Sequence, residues 1–271
     1  TTLLSDPALD AVRLFHGRTD GLDGLVVEKW GSVLIVQLHE GLPGPTPEDL
    51  RPYLQSWCER FGAKAVYLKH FVRDRGGIDV EVRASHRDAT PWIGEPVEEE
   101  TAVREGGLTY LIRPYDGFSV GLFLEHRENR RRIAELAAGR RVLNAFAYTC
   151  GFSVAAAKGG AAAVSSVDLS KRYLEWGKRN FAANLLPTAP HRFYGSDIFE
   201  FFNRARRQEL RFDLVILDPP TFSRRRRPAA VFELQADLPR LVAEAVERLD
   251  PGGSLFLAIN DRQLRLETLE A

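Results

Sequence analysis

Leu143-Asn-Ala-Phe-Ala-Tyr-Thr-Cys-Gly-Phe152 reads as a strand that runs into a turn and then into a helix. Working outward, residues 141–147 form the strand and 151–158 the helix after it. Residues 163–167 read as a second strand. Ser170 caps a helix whose apolar positions are Tyr173, Leu174, Phe181 and Leu185. Residues 191–194 are a strand and 198–206 a helix. Residues 212–217 are a near-continuous apolar strand, the pattern of a strand covered on both faces. A long helix spans 234–249, and Asp250-Pro-Gly-Gly253 turns the chain into a last strand, 254–259. Five strands alternating with helices specify a doubly wound parallel sheet. The chain stops in what reads as the next helix, 264–271.

The first half has another rhythm. Residues 25–30 and 32–38 read as a β-hairpin turning at Gly31. After a Pro- and Gly-rich loop at 41–47, Leu50, Tyr53, Leu54, Trp57, Cys58 and Phe61 recur at helical spacing. Cys58 lies on that apolar stripe and reads as core. Residues 65–69, 78–83 and 108–113 read as strands, 89–96 as a loop, and 98–100 as a solvated acidic patch. We expect a small α+β domain over 1–100 and the doubly wound domain over 101–271.

A chain of 271 residues accommodates two domains. No apolar run approaches the roughly 18 residues of a membrane span, and no signal-peptide pattern opens the sequence. Two cysteines, Cys58 and Cys150, exclude a disulfide framework. A cytoplasmic protein with no membrane partner is the expectation. The net charge is zero, with 37 basic and 37 acidic residues, which argues weakly against nucleic acid. The arginines cluster, however, at 127 and 130–132, at 204, 206 and 207, and at 224–227. Guanidinium is suited to bidentate phosphate contacts.

Ligands of open α/β sheets bind beyond the carboxyl ends of the strands. At the first strand end, Gly151 is the only glycine of the turn. The fingerprint that brings a pyrophosphate close to bare backbone is missing, which disfavours a nicotinamide oxidoreductase. At the second, Asp168 stands about 20 residues on, where an acid binds ribose hydroxyls. A ribose-binding acid without a phosphate loop fits S-adenosylmethionine (SAM) better than NAD, although helix N-caps present acids in the same place. At the third, Asp218-Pro-Pro-Thr-Phe-Ser223 follows the apolar strand. Two prolines hold carbonyls and the carboxylate rigidly, and Phe222 can stack on a base.

Together these segments resemble the bacterial 23S rRNA large-subunit methyltransferases, which include guanine N7 and cytosine C5 enzymes. Residues 17–28 look like the start of that family's central domain, and Val120-Gly-Leu-Phe-Leu-Glu-His-Arg127 like the segment that closes over SAM. The resemblance implies a class I, Rossmann-like methyltransferase domain preceded by a small α+β domain, with SAM as cofactor, RNA as partner and no metal. It allows a homodimer. It places Arg127 on the SAM carboxylate, and Asn144, Phe146, Tyr148, Thr149 and Gly151 along the methionine side. Asp168 takes the ribose, Asp197 the adenine amino group, and Ile198 lies beside the ring. Asp218, Pro219 and Pro220 face the target base. Three departures stand out. Cys150 replaces a second small residue and should narrow the turn. Nothing in this sequence matches the PUA-like RNA-binding domain with which cytosine-type members usually begin, and the sequence reaches strand five of a sheet that has seven in the family.

The resemblance also separates two chemistries. Cytosine C5 enzymes add a Cys thiolate to the base first. The fifth strand end here reads Ala258-Ile-Asn-Asp-Arg262, without Cys, and Cys150 sits in the cofactor turn. Guanine N7 carries its own lone pair and needs orientation alone. Guanine N7 is the favoured acceptor and cytosine C5 the alternative. N-methylation of DNA or protein and a non-catalytic RNA-binding module are further readings.

Overall fold

The computed structural model describes residues 6–39, 44–71, 87–226 and 229–261, with the side chains of 224–230 outside that description. The expected strand at 78–83 lies outside the described residues. The chain divides into two compact units, Thr1–Arg127 and Glu128–Ala271.

The first unit is built on a mixed sheet in the order β1-β2-β3-β4-β5. Its strands are β1 (Ala11–His16), β2 (Leu25–Trp30), β3 (Val33–His39), β4 (Ala65–Phe71) and β5 (Ile93–Gly94), with a one-turn helix α1 (Gly17–Asp20) after β1. The expected hairpin is β2–β3, paired Trp30↔Val33 across Gly31. β3 and β4 are parallel, so their link must cross over, and α2 (Pro47–Phe61) makes that crossing. Thr46 starts α2 with a capping box, its hydroxyl accepting from Asp49 N and the Asp49 carboxylate accepting from Thr46 N. The core beneath is Leu25, Val27, Leu34, Val36, Leu50, Leu54 and Val66. Cys58 packs at its margin, as read, whereas Tyr53 is 69% exposed and off the stripe.

A separate hairpin, β6 (Thr101–Glu105) and β7 (Leu108–Ile112), turns at Gly106-Gly107, both at positive φ. That is the chemistry of a type I′ turn. The sequence reading drew the domain boundary at 100–101. This hairpin stays with the first unit instead, through the Leu9↔Glu105 bridge and the Asp10–Arg104 ion pair. The acidic 98–100 patch is not simply solvated, because Glu99 and Glu100 pair with Arg113 at 3.4 and 3.0 Å. Lys69 on β4 is buried, with Nζ donating to the Gly117 and Phe118 carbonyls at 2.6 and 3.4 Å. Loss of hydration lowers its pKa to about 8 against the pull of Asp116 and Glu28.

The second unit is the doubly wound domain. It opens at the second residue of α3 (Arg127–Leu136) and continues as β8 (Arg141–Ala145), α4 (Gly151–Lys158), β9 (Ala163–Asp168), α5 (Lys171–Ala183), β10 (Arg192–Gly195), α6 (Ile198–Arg207) and β11 (Phe212–Leu217). A hairpin β12 (Phe222–Arg226) and β13 (Ala229–Glu233), then α7 (Leu234–Glu247) and β14 (Leu249–Leu257), complete it. The sheet runs β10-β9-β8-β11-β14, and every pairing in it is parallel. Side chains alternate between faces. Leu143, Ala145, Val215 and Leu217 pack under α6 and α7, while Val142, Leu214 and Ile216 pack under α3 and α4. The chain leaves β8 toward β9 and β10, then returns to the other side of β8 as β11. The topological switch therefore falls between β8 and β11. Five parallel strands match the reading, and the stretch from Phe222 on adds a hairpin to which the sequence reading assigned no strands. His191, before β10, is buried, and its Nδ1 accepts from Val164 N at 3.0 Å.

Candidate functional site

Because all five strands are parallel, their carboxyl ends share one edge. Ala145, Asp168, Gly195, Leu217 and Leu257 end there, and the residues just beyond them are the expected site. The turn after β8 is its most unusual backbone. Phe146, Tyr148 and Cys150 have φ of 57°, 50° and 64°, left-handed conformations in three non-glycine residues out of five. Each costs about 1–3 kcal/mol and persists only where the surroundings enforce it.

The enforcement is visible. Ala147 N donates to Val167 O at 2.9 Å, and Cys150 N to Ala147 O at 2.7 Å. Tyr148 N donates to Asp168 Oδ2 at 2.8 Å, while Ser170 N donates to Oδ1 at 2.8 Å. Asp168 thus ties its own strand end, the cap of α5 and the turn after β8 together. Burial raises its pKa, and the two backbone donors oppose that shift. A carboxylate has about four acceptor positions, so each oxygen keeps capacity for a ribose hydroxyl.

α5 supports the same turn from behind. Asn180, fully buried, donates through Nδ2 to Thr149 O at 2.9 Å. Tyr148 packs edge-on to Tyr173 at 4.6 Å. Cys150 is fully buried against Gly177, where an added Cβ would sit 2.4 Å from Sγ. Its bulk therefore goes into a gap in α5, which corrects the expectation that it narrows the turn. Burial pushes its thiol up to about 12. Below the turn, Asn144 Nδ2 donates to Ser153 Oγ, which meets Ser166 Oγ, both at 2.8 Å. Asn144 Oδ1 is buried with no hydrogen-bond partner among the described residues.

The other expected residues divide. Phe146 packs on Phe232 of β13 at 5.3 Å. Gly151 is the first residue of α4. Asp197 caps α6, with Oδ1 accepting from Phe199 N and Glu200 N at 2.9 and 3.3 Å. Ile198 is buried in the core with Phe201. Asp218 is half-buried, Pro219 buried and Pro220 exposed, immediately past β11. Phe222 opens β12 and is 48% exposed. Arg127 belongs to the first unit, where its Nε pairs with buried Glu105 at 3.2 Å and its Nη2 donates to Ala11 O. The side chains at 224–227 lie outside the described residues. One edge of one sheet thus gathers residues 144–151, 168, 197–198 and 218–222.

Sequence reasoning missed Gly177, Asn180 and Phe232. The readable signal was Asn180, an amide on the apolar stripe formed by Leu174, Gly177 and Phe181. Among the described residues no group of three His, Cys, Asp or Glu side chains gathers as a metal site. No described helix is long and apolar enough to cross a membrane. The donor set fits SAM: one buried acid for ribose, aromatic walls, and a turn held by side chains rather than opened by glycines for phosphate.

Comparison with known proteins agrees. A ribosomal RNA large subunit methyltransferase of Deinococcus radiodurans is 34% identical over 264 residues, covering 96% of this chain and 62% of its own length. The ribosomal RNA large subunit methyltransferase K/L of Saccharophagus degradans is 40% identical over 202 residues, covering 74% of this chain and 26% of its own. The chain therefore spans less than two thirds of these relatives. The crystal structure of SMU.776 complexed with SAH aligns with a TM-score of 0.83 at 28% identity, over 98% of this chain and 65% of that one. The sequence pattern of one family covers residues 12–269, and the chain belongs to that family, the S-adenosylmethionine-dependent methyltransferases.

Proposed function

We propose that this chain is the methyl-transferring part of an enzyme that acts on a base of large-subunit ribosomal RNA, with guanine N7 as the favoured acceptor. Its relatives, ribosomal RNA large subunit methyltransferases, support the RNA. The observation that carries the choice of atom is the state of Cys150. A covalent route to cytosine C5 needs an accessible thiolate. Cys150 is fully buried with its thiol held near 12, and Cys58, the other cysteine, sits in the first unit with its thiol also raised by burial. Guanine N7 needs no such group.

Bound SAM supplies an electrophilic methyl on a sulfonium. The chain's own work is then positional, an effect worth roughly 7–11 kcal/mol when orientation is good. Asp168 takes the ribose hydroxyls. Phe146, Tyr148, Thr149, Gly151 and Asn144 form and support the methionine side, and Asp197 with Ile198 the adenine side. Asp218, Pro219 and Pro220 present fixed polar atoms to the base, and Phe222 offers its exposed ring for stacking.

The test is methyl transfer from labelled SAM to a 23S rRNA transcript, to DNA and to protein, followed by mapping of the modified atom. We expect label in RNA, at a guanine N7. Label at cytosine C5, lost in Cys150→Ser while SAM still binds, would overturn the choice of atom. Label confined to DNA or protein would overturn the choice of substrate.

A further inference from the structure

The arginines at 204, 206 and 207 form one cluster in the sequence, and the structure separates them. Arg206 is neutralised by Glu244 and Glu247 of α7 at 2.6 and 3.2 Å. Arg204 and Arg207 are exposed and form no ion pair with a described residue. The Arg204 guanidinium lies over the Tyr194 ring, 5.3 Å from its centroid. Arg240 of α7 lies over the Phe199 ring at 4.0 Å, is likewise exposed, and pairs with no carboxylate among the described residues. Arg192 shares the face of β10 that carries Tyr194, two residues away. Its Nη1 donates to the backbone carbonyls of Ala189 and His191.

Several arginines elsewhere are matched by acids, as Arg13 is by Glu28, Arg104 by Asp10, Arg113 by Glu100 and Arg141 by Asp213, whereas Arg51 and Arg60 stack on Trp92 and Phe61. Around α6 only Arg206 is matched in this way: Arg192, Arg204, Arg207 and Arg240 have no acid partner among the described residues, although Glu200 is exposed on the same helix. A guanidinium stacked on a ring keeps its N–H fork in plane and pre-oriented, with its donors directed outward. Phe199 stands at the start of α6, at the cofactor edge. Arg204 follows about 7.5 Å down the helix and Arg207 about 4.5 Å further. The cations thus lead away from the edge where the base is to be methylated.

We propose that Arg192, Arg204, Arg207 and Arg240 form a contact surface for the phosphates of the RNA strand whose base enters the cofactor edge. This rests on the RNA reading above. Phosphate contacts position a strand without reading its sequence, which complements a base pocket that does the reading. The competing role for cations beside β10, the outer strand of the sheet, is to deter edge-to-edge pairing.

The test uses the whole chain, a labelled 23S rRNA transcript and a salt titration. Each lost contact should flatten the slope of log affinity against log salt by about 0.7 for single strands, so about 2.8 for the quadruple Arg→Gln variant. SAM affinity and melting temperature should stay at wild type. Arg132→Gln with Lys158→Gln, on the opposite face of the sheet, should leave the slope unchanged. If the wild type neither binds nor methylates the transcript, the RNA reading falls and this surface with it. If the wild type binds and the quadruple variant keeps its slope, the surface assignment alone is overturned. Self-association of that variant with an unchanged slope would assign the arginines to edge protection instead.

Discussion

Gly177→Ala should damage SAM binding, and Cys150→Gly should repair it. Helix propensity alone predicts the opposite for the first change, since alanine is favoured over glycine inside a helix by about 0.8–1.0 kcal/mol. Packing reverses the sign. The new Cβ would lie 2.4 Å from Cys150 Sγ and 2.8 Å from its Cβ. Ordinary contact is about 3.5–4.0 Å, so the overlap exceeds 1 Å, and the cysteine is fully buried with nowhere to turn. Overpacking costs about 1–3 kcal/mol, and an overlap this deep belongs at the upper end. After the propensity gain, about 2 kcal/mol remains, roughly 30-fold in affinity if the turn moves to absorb it. Cys150→Gly deletes both offending atoms and relieves the left-handed φ of 64°. Titration calorimetry with SAM should give a weakened Gly177→Ala variant and a double variant close to wild type. A double variant as weak as Gly177→Ala would refute the argument, because the damage would not pass through Cys150.

Four further outcomes follow from the same geometry. Asp168→Ala should weaken SAM binding without unfolding the chain, by roughly 1.5–3 kcal/mol for each hydrogen bond to the carboxylate; unchanged affinity by calorimetry would remove Asp168 from the site. Asn180→Leu should raise the KM for SAM by more than it lowers kcat, with Asn180→Gln recovering part of the loss, and an equal change in both parameters without rescue would contradict a positioning role. Lys69 titrates near 8 when folded and near its ordinary 10.5 when unfolded, so the unfolded chain binds more protons between those values; wild-type stability should therefore rise from pH 8 to 10.5 relative to Lys69→Met, and parallel denaturation curves across that window would contradict it. His191 is held below its ordinary 6.5 by burial, so stability should fall as pH drops below 6.5, and His191→Asn, which keeps an acceptor for Val164 N, should flatten that fall in melting temperature.

The doubly wound sheet was legible because its strands are defined by local signals. Residues 212–217 are apolar except for Asp213, and the structure bounds β11 at those same residues. Ser170 and Gly151 mark helix starts that the structure reproduces. Elements defined by a distant partner were not legible. Residues 222–226 read Phe-Ser-Arg-Arg-Arg, with no strand alternation. They become β12 because Ser223 pairs with Phe232, whose ring is buried beside Phe146 and Phe199. β1 and β6 were missed for the same reason, since each gains its identity from a pairing strand rather than from its own pattern. Asp197 shows the limit at the level of a single residue. The resemblance puts Asp197 on the adenine amino group, and the structure displays its cap bonds to Phe199 N and Glu200 N.

The turn proposed to hold the cofactor shows how a near-glycine-free loop can be held where glycine is the usual solution. Glycine reaches left-handed φ without a steric penalty but leaves the turn many alternatives when empty. Phe146, Tyr148 and Cys150 accept the penalty and remove those alternatives, provided something outside the turn decides the outcome. Here that is Asp168 on one side and α5 on the other: a carboxylate on Tyr148 N, an amide on Thr149 O, and a gap at Gly177 shaped for Cys150. A loop ordered before its ligand arrives loses less entropy on binding. The chain therefore places its strain where it shapes the site, and places the supports on the neighbouring strand end and helix, where packing can hold them.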